Sequence, residues 1–519
     1  MASYGQLKHV NTTDIAAAVQ LGCRTMQRLF NADDNDMPFM AARARPNPAL
    51  WMSANYDGHV PGRHLNALLT AESVLDIELD EEAIAKHRRA ALFSYSGPVP
   101  LPLGRPSVDA PLRNVGGHNL REGFHALYAL TAFRDDRTAR ELAERSIAAV
   151  FELWDPENGW DLARLDALGL VVEDNAENFT RTLPRAIGPL VKYYRATGYG
   201  PALKLALVFR DKLLADHFLA DGGYSIERLG THGHSIACDL SSLAQLADLT
   251  GDLPLMERVC RFYDNGMWQL RDALGWVVEK TGPDAVERPD VGEGNSTGDL
   301  IETALILGRW GRPACYEDAE RMLRCHLLPS QLRDAGFIED PEIADRLLGG
   351  WGFPAPYGHE PLELCGWDAV HFHADIVGGV VGSLCAAHCA VTQEDTTGHR
   401  VELLFDHETD ALRVRSPYTH DALTITLKRP GGLWIRVPSW VQHDRIAYEN
   451  FPGTPHRFGA YLFLPDLPVN VPLHVRYELP ERQLLLHHRT RDIRVQLRGD
   501  AVRAMDNFGA DLTFFDSLD

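Results

Sequence analysis

Three carboxylates, Glu293, Asp299 and Glu302, fall in the stretch RPDVGEGNSTGDLIETALILGRWG (288–311), where a Gly-rich loop gives way to an apolar helix. Paired carboxylates are the usual equipment for glycosidic cleavage. One protonates the leaving oxygen and the other acts as base or nucleophile, and a separation of about 5 Å or about 6.5–9.5 Å selects retention or inversion. Other groups able to bind hydroxyls or move protons recur along the chain: His64, His118, Glu177, Arg181, His234, Trp367, Asp368, His371 and His373. Glu293, in the loop VGEGN, is the candidate acid, with Glu302 or Asp368 as its partner. The histidines, Glu177, Arg181 and Asp299 suit hydrogen bonding to a sugar, and Trp367 suits stacking on its ring.

Each of these residues also has a plainer reading. Ser296 and Asp299 fit the S-x-x-D capping box, so Asp299 reads as a helix cap before it reads as a catalyst. Glu302 lies one turn deeper, on an otherwise apolar face, where capping has no use for it. His371 and His373 form H-x-H, and Glu302 could complete an N/O metal site with them. That pattern is too short to define a metal. Cleavage by two carboxylates needs none, although a divalent ion is compatible with it.

Positioning such residues falls to a repeat of helix pairs. Stretches beginning at Arg121, Leu183, Ser235 and Asp299 each hold an apolar helix, a short break (RDD, TGYG, TGD, WGRP) and a more amphipathic helix. Gly and Pro in the breaks end the first helix, and short loops force antiparallel hairpins. The first helix of each pair should be buried and the second should face outward. Segments from Gly62 and His373 add two more apolar helices, and the N-terminal DIAAAVQLGCRTMQRLF supplies the outer partner of the last. Six inner helices predict a mainly α fold, an (α/α)6 toroid over residues 1–395. Short alternating stretches such as ALTITLKRP and LWIRVPSW then predict an antiparallel β-sandwich over 396–519. All inner helices of such a ring run the same way. Their N-termini, where the polar residues cluster, should therefore line one pocket, in which helix ends favour negative charge.

The 519 residues carry a net charge of −21, from 51 basic and 72 acidic side chains, without a basic block. This argues against nucleic acid or an anionic membrane as partner. The first residues do not read as a signal peptide, and no apolar run reaches spanning length. The eight cysteines are scattered without a C-x-x-C pair, which predicts free thiols and a cytoplasmic location. A homo-oligomer is compatible with this composition.

Several motifs resemble those of the bacterial β-L-arabinofuranosidase family, glycoside hydrolase family 127. GGLWIRVPSW (431–440) is similar to its L-R-I-P-S-W strand, and GHSIACDLSSLAQLADLTGD to its Gly-His inner helix. VGEGNSTGDLIETA is similar to its G-E…E-T-C segment, and IRVQLRGDAV to its closing strand. The resemblance implies a zinc-thiolate site built from a Glu, the Cys two residues on and a Cys pair before the last inner helix. Glu302 matches the Glu, but Ala304 stands at the Cys position. WDAVHFHADIVGG carries histidines where the Cys pair belongs, and Cys365 is the nearest thiol. Glu293 matches the family's acid/base Glu.

The expectation is a glycoside hydrolase acting on a small saccharide or glycoside by carboxylate catalysis. A polysaccharide or uronide lyase is the first alternative, with Arg181 and Arg185 neutralising a uronate. A carbohydrate epimerase and a non-catalytic sugar-binding protein are the others.

Overall fold

The computed structural model describes residues 4–173, 178–282, 291–362, 368–451, 453–488 and 491–518. Twelve helices build the expected toroid: α1 (Ile15–Met26), α2 (His59–Leu75), α3 (Glu81–Ser94), α4 (Gly117–Arg134), α5 (Arg137–Leu153), α6 (Ile187–Thr197), α7 (Gly200–Asp216), α8 (Gly233–Thr250), α9 (Leu253–Asp264), α10 (Gly294–Arg309), α11 (Pro313–Met322) and α12 (Ala374–Ala390). The inner ring is α2, α4, α6, α8, α10 and α12, each packed on the next, with α12 closing onto α2. The outer helices alternate with them, and α1 packs on α12 as the sequence predicts. Several breaks work by left-handed caps: Gly198 and Gly251 at φ 70° and 66°, and Asp76 and Asp135 at φ 52° and 47°. Such a residue lets the chain turn back directly after the helix.

Two five-stranded sheets follow. One is ordered Thr392–Asp395, Gly398–Val401, Leu433–Arg436, Tyr461–Leu464, His456–Phe458. The other is ordered His407–Glu408, Leu412–Arg415, Leu423–Leu427, Pro472–Arg476, Ala447–Glu449. Alternate residues such as Val414, Ile425, Leu433, Ile435, Leu464 and Val475 share one core between them. The last strands depart from the single-sandwich expectation. Glu481–His487, Asp492–Arg498, Ala501–Met505 and Asp516–Ser517 form a separate sheet. Its Ile493, Val495 and Leu497 share a core with Leu7, Phe337, Tyr357 and Phe372 instead. The chain's two ends meet there, as Leu7 donates its backbone N–H to the Thr513 carbonyl at 2.9 Å. Among the described residues no helix is long and apolar enough to cross a membrane.

Candidate active site

The inner-helix N-termini do converge. They surround a cavity of about 320 Å³ whose wall includes Tyr56, His59, Arg63, His118, Arg181, Arg185, His232, His234, Glu279, Glu293, His373 and Asp375. That volume lies at the small end of ligand pockets and suits one or two sugar rings. A three-stranded sheet, Ala49–Trp51, Ala41–Arg45 and Val370–His373, brings His373 to the rim.

Glu293 occupies the N-cap of α10, but its carboxylate does not cap the helix. Oε2 lies 3.1 Å from Nδ1 of His234, and Oε1 lies 3.4 Å from Nε2 of His232. The same His232 nitrogen is 3.3 Å from Oε1 of Glu279, and its other nitrogen is fixed by the Ser235 hydroxyl at 2.7 Å. Two carboxylates thus flank one imidazole nitrogen. Glycines allow this approach. A Cβ on Gly233 or Gly292 would meet the carbonyl oxygens of Val278 or Val277 at 2.0 and 1.8 Å. Only with hydrogen there can the α8 and α10 entries close on the Val277–Glu279 segment. Backbone bonds then hold the three together, Gly233 N–H to the Glu279 carbonyl and Glu279 N–H to the Val291 carbonyl, both at 3.1 Å.

Burial opposes the charge on Glu293, but the His234 and His232 rings outweigh it and hold the carboxyl well below the usual range. Burial lowers His234 against the pull of the Glu293 carboxylate. The tautomer with hydrogen on Nδ1 donates to Glu293 and leaves Nε2 to accept from the Asn295 amide at 3.2 Å. Across the cavity, Asp375 faces Nε2 of His59 at 3.1 Å, and Arg63 donates to Glu122 at 2.8 Å.

The remaining sequence candidates divide. His118, Arg181, His234 and His373 line the cavity with Glu293. Glu177 and Trp367, with Cys365, lie outside the described residues. Helix α10 begins at Gly294, so Asp299 is in its second turn and caps nothing. It lies beneath the cavity, 3.2 Å from Nε2 of His234 and 3.6 Å from Arg121, and burial raises its pKa. Glu302 is deeper still. It accepts from Ser241 and Ser383 at 3.0 Å and lines a separate polar chamber below. His64 turns away, between the Ala374 carbonyl at 2.7 Å and His87 at 3.3 Å. His371 packs edge-on against Trp51, and Asp368 is exposed; neither is part of the cavity wall. On the helices the cause is pitch, which turns residues close in sequence in different directions or carries them deeper; Asp368 lies outside the strand Val370–His373.

Sequence reasoning missed Glu279, His59 and Tyr56. Glu279 follows the Gly-aromatic turn of its repeat, GWVVEK, and only the pairing of Lys280 with His232 reveals its place.

The zinc-thiolate set implied by the resemblance does not fit. Ala304 lies in the apolar body of α10, and no cysteine lines the cavity among the described residues. Cys238, on inner helix α8, is pushed up to about 12 by burial and is no thiolate. H-x-H with Glu302 does not assemble either. Among the described residues the group able to hold a metal is His232, His234 and Glu293, whose donor atoms lie within 4.8 Å of one another.

Two consequences are measurable. Glu302→Gln should lower stability by about 1–2 kcal/mol, through weakened hydroxyl bonds, and change turnover only a few-fold. Loss of turnover with an unchanged thermal midpoint would return Glu302 to the chemistry. Second, burial holds His64, His371 and His407 at about 4, and His326 and His359 at about 3. The unfolded chain takes up these protons from pH 6.5 downward and the folded chain does not. Stability is therefore fully present above about pH 6.5 and drains as the pH falls toward 4 and 3. Urea midpoints measured across that interval should fall steeply, and a flat profile would contradict neutral buried rings.

No protein-family model and no curated protein matches the sequence. Solved structures share the fold. A GH127 β-L-arabinofuranosidase from Geobacillus stearothermophilus T6 aligns with 94% of this chain and 80% of its own, at 12% identity and a TM-score of 0.54. The GH127 β-arabinofuranosidase BT3674 aligns with 96% of this chain and 84% of its own, at 12% identity and a TM-score of 0.57. A sugar epimerase from a ruminal bacterium aligns with 72% of this chain and 99% of its own, at 12% identity and a TM-score of 0.53. At these identities the likeness establishes the toroid-and-sandwich architecture of the GH127 structures.

Proposed function

We propose that the protein is a glycoside hydrolase that cleaves a small saccharide or glycoside in the cavity at the inner-helix N-termini. The observation that carries this reading is the pair Glu279 and Glu293, set against one imidazole nitrogen in a cavity of sugar size. The fold likeness to GH127 arabinofuranosidases supports it. The roles differ from those expected from sequence alone. Glu293, held ionised by two imidazoles, suits the base or nucleophile and not the acid. Proton donation then falls to Glu279, whose Oε2 is buried without a hydrogen-bond partner among the described residues. Immediate neighbours of this kind favour the short carboxylate separation of retaining enzymes. His118, His234 and His373 would orient sugar hydroxyls.

The test is a panel of nitrophenyl glycosides and glycuronides, with product anomers followed by NMR. Nitrophenol release with retention supports the reading, and silence across the panel overturns it. A second reading, a sugar epimerase, is favoured by five histidines in the cavity wall, His59, His118, His232, His234 and His373, and by the toroid likeness to the ruminal epimerase. It would show solvent deuterium replacing a carbon-bound hydrogen of a free sugar without any glycosidic cleavage. A new absorbance from a product double bond would mark β-elimination.

A further inference from the structure

Six arginines are buried among the described residues: Arg63, Arg105, Arg185, Arg271, Arg324 and Arg436. Five sit on carboxylates. Arg63 pairs with Glu122 at 2.8 Å, Arg105 with Asp34 and Asp57 at 2.8 and 2.7 Å, Arg271 with Asp318 at 2.8 Å, and Arg324 and Arg436 both with Glu320. Such pairing is expected, because a guanidinium stays charged and an uncompensated buried charge is costly.

Arg185 is the exception. It is 2% exposed and lines the cavity, with no carboxylate in ion-pair distance among the described residues. Its Nη1 reaches Nδ1 of His118 at 3.0 Å and the Arg181 carbonyl at 3.4 Å. Its Nη2 lies 3.3 Å from Nδ1 of His234, the nitrogen that the shorter contact commits to Glu293. Its Nε has no hydrogen-bond partner among the described residues. Burial lowers His118 well below its usual value, so this partner is a neutral ring that brings no charge. Arg181, one turn earlier, faces the same cavity, and its buried Nε also lacks a partner among the described residues. Two guanidiniums therefore face the same cavity, and among the described residues neither has a carboxylate in ion-pair distance, although Glu279 and Glu293 lie on the same wall.

We propose that the cavity binds a sugar carrying a carboxylate, a hexuronate, with Arg185 and Arg181 as its anion clamp. Two forked guanidiniums match a planar carboxylate. Glu279, Glu293 and Asp375 share the same wall, so a singly charged carboxylate is accommodated better than a doubly charged phosphate. His234 stands between Arg185 and Glu293, which sets the anion beside the reacting carboxylates and on the same ring as the bond to be cleaved. The proposal names the substrate class of the hydrolase reading and rests on it for the chemistry but not for the binding.

The test is calorimetric titration of the full chain with D-glucuronate, D-galacturonate and L-iduronate, each beside its neutral parent hexose, and with glucose 6-phosphate as the phosphate arm. At least one uronate should bind roughly 10- to 100-fold more tightly than its neutral parent, the worth of a charge-assisted pair. Arg185→Met should abolish that preference, and Arg185→Lys should restore part of it. If Arg185→Met does not fold, Arg181→Met should weaken the preference in a folded protein. Equal binding of uronate and neutral hexose, no uronate binding at millimolar concentration, tighter binding of the phosphate, or a preference that survives both methionine variants would overturn the proposal. Cleavage of neutral glycosides without uronate preference would sink the clamp and leave the hydrolase. Uronate binding without cleavage of any glycuronide would do the reverse.

Discussion

Glu293→Gln leaves a folded protein whose turnover falls by at least about 10²-fold, the usual minimum for losing an acid, base or nucleophile. The amide keeps the side chain's shape, and the α10 N-cap does not use the carboxylate, so the helix start should survive. What disappears is the anion that His232 and His234 hold ionised. Glu279→Gln should cost a similar factor if Glu279 is the proton donor, but least on nitrophenyl leaving groups, which depart with little protonation. Turnover, thermal midpoint and leaving-group dependence measured on the same preparations decide the matter. Near-normal turnover in Glu293→Gln would place the chemistry elsewhere.

Glu320→Gln destabilises the protein by about 3–5 kcal/mol while leaving turnover per folded molecule unchanged. Glu320 lies on outer helix α11, is 1% exposed, and accepts from Arg324 at 3.1 Å, from Arg436 of the sandwich and from the Leu404 backbone at 3.1 Å. One carboxylate thus serves two fully buried guanidiniums, one of which belongs to the β-domain. Removing its charge leaves Arg324 without a carboxylate in ion-pair distance among the described residues and Arg436 with Glu317 at 4.0 Å, and breaking a buried ionic network from one side is far costlier than losing an exposed pair. Arg324 is partly sheltered by Phe405 and Tyr418, each 3.8 Å from its guanidinium carbon, which limits the loss. Urea unfolding should show the whole transition moving to lower denaturant. A separate early loss of β signal with the helices intact would mean that this cluster only fastens one domain to the other. No change in midpoint would contradict the burial argument.

The sequence by itself determined the toroid. Six apolar helices, each closed by a break such as TGYG or TGD, cannot bury their faces singly, and short loops leave a ring of hairpins as the arrangement that does. It also determined that polar residues would gather at one end, because parallel inner helices share the direction of their N-termini. Glu293, His118, Arg181, His234 and His373 were legible on that ground. Tertiary structure alone decided which residues face the cavity. Asp299 and Glu302 follow Glu293 on the same helix, yet each turn carries the chain further from the mouth, so they fall beneath the floor. Glu279 joined the site through the pairing of its neighbour Lys280 with His232, a residue 48 positions earlier, and that pairing depends on close approaches that Gly233 and Gly292 permit. That Arg185, among the described residues, has no carboxylate in ion-pair distance was likewise beyond sequence reading. A charge is uncompensated only with respect to its neighbours in space, and the chain order of acids and bases does not record them.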